Sequence, residues 1–523
     1  MKKQLSLLIA VFIVIASFAG CSKKAADSSS SLSVDSSMSD NSSGDNNSSG
    51  EGSNDQHSNS SSAGGSQTLP SDGTSGGSGN SGGSNVEPEA DPLEANLQGQ
   101  TIEIVTPNAN GIFNTKKNLS SYQNACAERM ATLQSKLNCK IKVTVKTVDE
   151  ISEMAFTTIA SGSKFADIIE VPIYGTLAHI SQKTIVDLRS IPTLDLSKSY
   201  MNAGNAINSS TFYNKSYFLA TSDMIADSGM GYFFNKRLLK ESGLENPYDL
   251  VKNNEWSISK LREMAKKATK DTDGKPGMSK NDQWGILQTS YVADGAAAVL
   301  AACDAEMIKP DGNGGTVYNT DSKEVLDAIA LATDIFVKDG DCFAATDGDK
   351  DLWNMFITGK GLFLGADVSI AKKIMDMNDD YGFVPFPRSD KASDMKIGTN
   401  WNSSTLMVVS NPEAKDYNNV GRFLQAFCKL SENTTEVMYN EYSDRYFRDD
   451  ESGNMMKKMA NSQKVTTSSI LGSTGDWGIH EGTYKILYNC VPGKVSPASE
   501  IQKYKPFSTA NLADLMYKLK TAR

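Results

Sequence analysis

The sequence predicts an α/β protein of two lobes that follows an export signal and a long polar linker. Strand-like and helix-like stretches alternate from residue 101 onward, which is the order of elements that builds a parallel sheet. About 430 residues follow the linker, more than one hydrophobic core usually organises. The folded part of the chain is therefore expected to divide into two domains or lobes.

The first 20 residues have the composition of an export signal. Lys2 and Lys3 are followed by the almost wholly apolar residues 5–18 and by the small residues Ala19 and Gly20. This apolar run is shorter than the roughly 20 residues that a spanning helix needs, so a permanent membrane helix is the weaker alternative.

The signal ends at a cysteine. The stretch Phe18-Ala19-Gly20-Cys21 resembles the bacterial lipobox, although Phe18 stands where leucine is usual. The resemblance implies that Cys21 becomes the N-terminus and carries a diacylglycerol. Buried acyl chains hold a protein to a bilayer with about 0.8 kcal/mol per CH₂ group. The alternative is a secretory peptide that ends near a cysteine by chance.

Residues 21–92 are expected to form a disordered Ser/Gly-rich linker. The tract from residue 22 onward contains no aromatic residue and, after Lys24, no Lys or Arg, so it cannot bury enough apolar surface to offset the entropy of ordering. A flexible chain of roughly 70 residues has an r.m.s. reach of about 45–50 Å. The linker would let the domain, residues 93–523, work away from the membrane.

Charge and cysteine content exclude several functions. The formal net charge is −10, but ten acidic residues and only two lysines fall in residues 22–92, so the domain is only mildly acidic. No basic field indicates nucleic-acid binding. The domain's six cysteines form no CxxC pair and fit no zinc ribbon, and free buried thiols are as acceptable as disulfides. They are Cys126, Cys139, Cys303, Cys342, Cys428 and Cys490.

The first elements of the domain follow from hydrophobic periodicity. "TIEIVT" (Thr101–Thr106), the alternating "KIKVTV" (Lys140–Val145) and the apolar "ADIIEV" (166–171) predict strands. Spacings of four and three predict a helix between the first two strands, and residues 150–161 predict another. The apolar face of the first of these two helices consists of Tyr122, Cys126, Met130, Leu133 and Leu137. Strands that alternate with helices predict a parallel sheet.

Later elements are predicted mainly from their caps. Ser257 begins a helix that runs through Ala268, and Ser322 begins one that runs through Lys338. A shorter helix opens at Asp351 and ends at Gly359. "STLMVVS" (404–410) predicts a buried strand, and residues 417–430 predict a helix.

Four segments in order resemble the extracellular solute-binding proteins of ABC importers, in the sugar-binding family that includes maltose-binding protein. The segments are "GYFFNKRLLKESGLENP" (231–247), "EWSISKLREMAKKATKDTDGKPGMSKNDQWG" (255–285), "FITGKGLFLGADVSIAKKI" (356–374) with "DYGFVPFP" after it, and "STLMVVSNPEAKDYNNVGRFLQAF" (404–427). Each segment alone is a weak signal, but their order and spacing together are specific. The resemblance covers nearly all of residues 97–523.

The resemblance implies a two-lobed, periplasmic-binding-protein-like (type II) fold that grips its ligand in a hinged cleft. The expected crossings between lobes are residues 221–223, 366–367 and 401–404. They would divide the domain into lobe one, residues 97–223 and 367–403, and lobe two, residues 224–366 and 404–523. The implied ligand is a sugar or oligosaccharide, without cofactor or catalysis, and the implied partner is an ABC permease. We expect a monomer, lipid-anchored on the extracellular face of the membrane.

Aromatic faces and polar side chains are what a sugar site needs, because they cover C–H patches and satisfy hydroxyl groups. Trp401 and Trp477 lie in polar, turn-rich stretches, and Tyr174 follows the third strand, where α/β proteins present ligand groups. These three are the candidate aromatic contacts, with a docked loop as the alternative. Trp256, Trp284 and Trp353 are expected in the core. The polar candidates at the crossings are Asp223, Asp367 and Asn402.

One acidic loop loosely resembles a calcium site. "DTDGKPGMSKNDQWG" (271–285) offers Asp271, Asp273, Asn281 and Asp282 as oxygen ligands, but Lys275 stands where a further oxygen ligand is needed. No glutamate stands at the twelfth position of the loop. A solvated turn is favoured, and no metal site is predicted.

Two other functions remain open from the sequence. A surface-anchored glycosidase would need two carboxyl groups roughly 5–10 Å apart, and acidic residues are plentiful. No GxSxG, HExxH or P-loop motif supports other catalysis. A protein of the same fold that binds a non-sugar solute is the third hypothesis.

Overall fold

The structure is a computed structural model. It describes residues 91–288, 292–344, 350–400, 402–472 and 478–521. The signal, most of the linker and three of the residues singled out above lie outside the described residues, namely Cys21, Trp401 and Trp477.

The first sheet has four strands, of which three are parallel and consecutive in the chain. The strands lie in the order Ser404–Val408, Ile168–Pro172, Thr101–Thr106 and Lys140–Val145. Only Ser404–Val408 is antiparallel to its neighbour. Neighbouring residues of the central strands belong to different cores, with Ile168 on one face and Ile169 on the other. Burial on both faces explains why these strands are apolar rather than alternating.

The second sheet has five strands and a single large core. Its order is Cys342–Ala344, Trp284–Gln288, Gly361–Asp367, Met230–Asn235 and Tyr381–Pro385. Met230–Asn235 is antiparallel to both of its neighbours, and the parallel pairs are those of Trp284–Gln288 with Cys342–Ala344 and with Gly361–Asp367. Tyr232, Phe233 and Phe234 are all buried, so this strand fills the core on both faces. The first sheet with the elements packed on it is called the first lobe, and the second sheet with its packed elements is called the second lobe.

Strand pairing shows that one segment expected in each lobe belongs to the other lobe. Tyr381–Pro385, expected in lobe one, pairs with Met230–Asn235 of the second sheet. Ser404–Val408, expected in lobe two, pairs with Ile168–Pro172 of the first sheet. No crossing occurs at residues 366–367, because the strands on both sides of them belong to the second sheet. The chain returns to the first lobe over residues 386–403 instead.

Helices cover both sheets, and their caps explain where they begin. Ser120 and Thr147 form capping boxes with Gln123 and Glu150, and Ser257 and Ser322 accept hydrogen bonds from the third residue of their helices. The helices before the strand Ser404–Val408 are Ser121–Lys136, Val148–Ala160, Thr176–Gln182, Ala206–Ser209, Ser222–Ile225, Lys236–Glu241, Pro247–Lys252, Ile258–Ala268, Val292–Ala302, Lys323–Thr333, Lys350–Ile357 and Ala371–Ile374. Those after it are Asn418–Glu441, Asp450–Ser462, Thr467–Gly472, Tyr484–Cys490 and Pro497–Thr521.

Most predicted elements are present, with differences at their ends. The helix that begins after Ser322 becomes a π-helix over Asp334–Lys338. The helix predicted over 417–430 continues to Glu441. In the predicted half-buried strand Lys140–Val145, Val145 is 48 % exposed because this strand is the edge of the sheet. Short strand pairs complete the fold: Thr211–Phe212 with Lys215–Ser216, Ile308–Pro310 with Thr316–Tyr318, and Ile397–Gly398 with Gln463–Lys464.

The long helix Asn418–Glu441, here the connecting helix, belongs to both lobes. Phe423 and Phe427 near its start pack in a core of the first lobe. Met438 and Tyr439 near its end pack in the core of the second. The helix is therefore a further link between the lobes, in addition to residues 226–230 and 386–403.

A buried ion pair ties the connecting helix to the first lobe. Arg129 Nη1 lies 2.8 Å from Asp223 Oδ2, and both side chains are shielded from solvent. Arg129 also donates to Ser431 and Thr434 of the connecting helix, at 2.8 Å and 3.0 Å. Burial opposes the charge of Arg129, but the Asp223 carboxylate outweighs it and raises the pKa of the guanidinium. Tyr122 donates to the same carboxylate oxygen.

Among the described residues, no helix is both long enough and apolar enough to cross a bilayer. All six cysteines of the domain are free thiols. Cys126, Cys139, Cys428 and Cys490 are buried, and burial raises the pKa of Cys126 to about 11.

We expect Asp223→Asn to lower the free energy of unfolding by about 3–5 kcal/mol, because it leaves the charge of Arg129 buried and unpaired. Urea unfolding of the wild type and the variant measures the difference. Glu451→Ala is the control, since it breaks the exposed pair of Lys252 and Glu451 and should cost far less. Equal losses in the two variants would contradict the structural role of the buried pair.

Candidate ligand-binding cleft

A cavity of about 400 Å³ lies between the cores of the two lobes. Asn205, Asn208 and Ser209 line it from the first lobe. The helix Val292–Ala302 and the turn after it line it from the second lobe. The remaining lining residues are Ser228, Met230 and residues 396–400 of the linking segments, Asp367 at the end of a strand of the second sheet, residues 464–469 and Tyr484.

Backbone pairing builds the floor of this cavity. Ile397–Gly398 is parallel to Gln463–Lys464, and Gly229 forms a bridge with Thr399. The N–H of Val465 donates to the carbonyl of Gly204 at 2.7 Å, which brings in the first lobe. A Cβ atom at Gly229 would lie 2.3 Å from Gln463 Nε2, so a larger residue there would displace that side chain. Three distant stretches of chain thus meet with their side chains left to face the cavity.

Four carboxylates and two ammonium groups line the cavity: Asp294, Asp304, Glu306, Asp367, Lys396 and Lys464. Lys396 Nζ lies 2.5 Å from Asp304 Oδ2, so these two charges compensate each other. Burial raises the pKa of Glu306, and the neighbouring Asp304 adds to this while Lys464 opposes it.

Asp367 lies at the end of the strand Gly361–Asp367 and lines the cavity. Its Oδ1 accepts hydrogen bonds from the N–H and the hydroxyl of Ser369. Burial and the charge of Asp227 raise the pKa of Asp367, whereas the hydrogen bonds from Ser369 oppose the rise. The site therefore holds a carboxylate whose charge is only partly compensated.

Two buried polar groups at this floor have no partner among the described residues. Thr399 lines the cavity and is 7 % exposed, and its hydroxyl forms no hydrogen bond. Gln463 accepts from Ser228, but its Nε2 is also unpartnered. Buried polar groups are usually satisfied, and of these two only Thr399 lines the cavity, so a polar ligand could complete its hydroxyl.

The structure brings one of the described candidate residues, Asp367, to the cavity. Asp223 lies in the buried ion pair with Arg129. Tyr174 lies in the turn after the third strand, half-buried, and is not among the lining residues. Asn402 is exposed, and its N–H donates to Asn400, which does line the cavity. The roles of Trp401 and Trp477 stay predictions.

The tryptophans expected in the core are all in the second lobe. Trp256 and Trp284 are buried, and their indole N–H groups donate to the carbonyls of Pro385 and Ser279. Trp353 is partly buried against the same core, with the ammonium of Lys373 3.9 Å from its ring centre. None of the three lines the cavity.

Sequence reasoning missed most of the cavity's polar residues. Thr399 and Asn400 lie next to Trp401 in the stretch "GTNWNSS", so their position carried a usable signal. Glu306 and Lys464 carried none, because nothing near them distinguishes them from other surface charges. Tyr484 is the aromatic residue of the described lining, and burial together with Asp294 raises its pKa.

The acidic loop after Ala268 uses its carboxylates to close on itself. Asp282 is buried and accepts backbone N–H groups from Thr272, Asp273 and Ser279 at 2.8–3.0 Å. These hydrogen bonds hold the pKa of Asp282 down at about 2. Oxygens of Asp271, Asp273 and Asp282 lie within 4.8 Å of one another, but bonds inside the turn already engage them.

The chain matches the family model for the bacterial extracellular solute-binding proteins over residues 114–416, which is more than half of its length. The chain belongs to this family. The family assignment confirms the resemblance found in the sequence motifs, and its members bind solutes rather than catalyse reactions. A search of curated protein sequences finds no match.

Solved structures of the same fold confirm the expected two-lobed α/β architecture. The sugar-binding protein MalE from Xanthomonas citri has a TM-score of 0.57 and 12% identity, with 81% of this chain and 100% of that chain covered. The cyclic α-maltosyl-1,6-maltose binding protein from Arthrobacter globiformis has a TM-score of 0.56 and 13% identity, with 79% and 99% covered. UspC from M. tuberculosis has a TM-score of 0.55 and 13% identity, with 79% and 100% covered.

For the acidic loop of this solute-binding protein we expect Ca²⁺ and chelators to leave the melting temperature unchanged. Asp282→Asn should lower the melting temperature, because the amide nitrogen would face one of the N–H groups that now donate hydrogen bonds to the carboxylate. Thermal melting of both proteins with Ca²⁺ and with a chelator tests this. A Ca²⁺-dependent rise that Asp282→Asn abolishes would contradict the role of a closed turn.

Proposed function

We propose that the protein captures a sugar or oligosaccharide between its lobes and delivers it to an ABC importer. The observation that carries the proposal is the cavity of about 400 Å³ whose lining comes from both lobes. Ligand sites of small molecules typically measure about 300–1,000 Å³, so a saccharide fits the expected range. Two of the structural relatives named above are described as binding proteins for a sugar or a maltose derivative.

The lining has the chemistry that sugar hydroxyl groups require. Amides of Asn205 and Asn208, the hydroxyl of Thr399 and the carboxylate of Asp367 offer both donors and acceptors. A hydroxyl group donates one hydrogen bond and accepts others, so it suits a lining of mixed polarity. The unpartnered hydroxyl of Thr399 supports a polar ligand over an apolar one.

Aromatic stacking belongs to the proposal as well. Tyr484 lines the cavity. Trp401 directly follows the lining residue Asn400, so it is the first candidate for a further aromatic face, and Trp477 is the second. Stacked aromatic rings cover the C–H faces of a sugar.

Closure of the lobes would couple binding to transport. A ligand shifts a two-state equilibrium only when it contacts the closed state more favourably than the open one. A ligand in this cavity touches residues of both lobes, and therefore favours closure. The permease would then recognise the closed form.

We expect a thermal-shift screen against mono- and oligosaccharides to identify at least one stabilising ligand. A ligand at 100 times its Kd adds about 2.7 kcal/mol to the free energy of unfolding. Calorimetric titration of the hit gives the Kd, and product analysis after incubation excludes turnover. Stabilisation by non-sugar solutes alone, or turnover of an oligosaccharide, would contradict this function.

We further propose that lipidated Cys21 anchors the protein to the outer face of the cell membrane. Cys21→Ala should release the protein into the medium or leave its precursor uncleaved, because the acceptor of the lipid is lost. Membrane fractionation with lipid labelling measures this, with Cys303→Ala as a control that keeps the signal intact. Normal lipid labelling of the Cys21 variant would contradict the anchor.

A further inference from the structure

The cavity has more negative than positive charge. Apart from the compensated pair of Asp304 and Lys396, and from Asp294, which has an interaction of its own, the lining holds the carboxylates of Glu306 and Asp367 but only the ammonium of Lys464. No salt bridge within 4.0 Å joins Lys464 to a described carboxylate. A neutral sugar would leave this excess uncompensated.

Glu306 is the carboxylate most available to a ligand. It is half-buried, and its side chain accepts no hydrogen bond from any described residue. A carboxylate in such a place is costly unless a cation or several donors approach it. A protonated amine supplies both, since an ammonium group is a cation with three N–H donors.

The acids of the cavity are placed for an organic cation and not for a metal ion. The one set of three carboxylates in the described chain that converges closely enough for a metal is Asp271, Asp273 and Asp282, none of which lines the cavity. Metal ligands must converge on a single point, whereas an amine-bearing sugar presents its charge and its hydroxyl groups at separate points. Separate carboxylates suit the second arrangement.

Thr399 provides an independent sign of a polar ligand. Its buried hydroxyl lines the same cavity and lacks a partner in the described chain. We propose that the preferred ligand is an amino sugar, free or within an oligosaccharide, whose protonated amine lies at Glu306 while a hydroxyl group bonds to Thr399. The inference rests on the proposed function, since it specifies the kind of sugar.

The test compares sugars that differ in one group. Calorimetric titrations of the detergent-solubilised full chain would use glucosamine, N-acetylglucosamine and glucose, together with the 1,4-linked disaccharide of each. Acetylation removes the charge of the amine but keeps the ring. We expect the amine to bind at least tenfold more tightly than its acetylated and neutral counterparts, a difference of about 1.4 kcal/mol.

Variants assign the preference to named groups. Glu306→Gln should abolish most of the tenfold preference. Glu263→Gln is the matched control, because it removes an exposed carboxylate outside the lining and should change nothing. Thr399→Val keeps the shape and removes the hydroxyl, so it should weaken all sugars about equally without lowering the melting temperature.

The outcomes separate this inference from the proposed function. Equal or tighter binding of neutral sugars, or a preference for the amine that survives Glu306→Gln, would overturn the inference and leave sugar binding in place. If none of the paired sugars binds while a non-sugar solute stabilises the protein, both the inference and the proposed function are overturned.

Discussion

The buried ion pair of Arg129 and Asp223 is the constraint on which the arrangement of the lobes depends. Neither charge has access to water, so each is satisfied only while the other stays in place. The pair and its hydrogen bonds join the helix Ser121–Lys136, the exit from the first lobe and the connecting helix.

The cavity lies where the linking segments converge, and this explains its polar lining. Backbone groups of the floor satisfy one another through the pairing of residues 397–398 with residues 463–464 and the bridge from Gly229 to Thr399. The hydroxyl of Thr399 has no partner among the described residues and is therefore available to a ligand. Closure of the lobes on a ligand, as proposed above, would move these positions and so couple ligand contact to conformation.

Charge in the cavity contrasts with charge elsewhere in the domain. Exposed pairs such as Lys252 with Glu451 are screened by solvent and contribute little. Inside the cavity, Glu306 and Asp367 have raised pKa values because burial disfavours their charge. A cationic ligand would offset the free-energy cost of burying these charged carboxylates, so an excess of acid favours cationic ligands over neutral ones.

From the sequence alone, the α/β class, the family and most elements followed, because periodicity and caps such as Ser257 and Ser322 act within a few residues. Which sheet each strand joins did not follow: Ser404–Val408 lies in the first sheet although it was expected in lobe two. Asp223 had the position expected of a ligand contact, but Arg129, distant in sequence, neutralises it. Glu306 and Thr399 come together only through packing of both lobes, since burial and charge compensation depend on contacts between segments far apart in the chain.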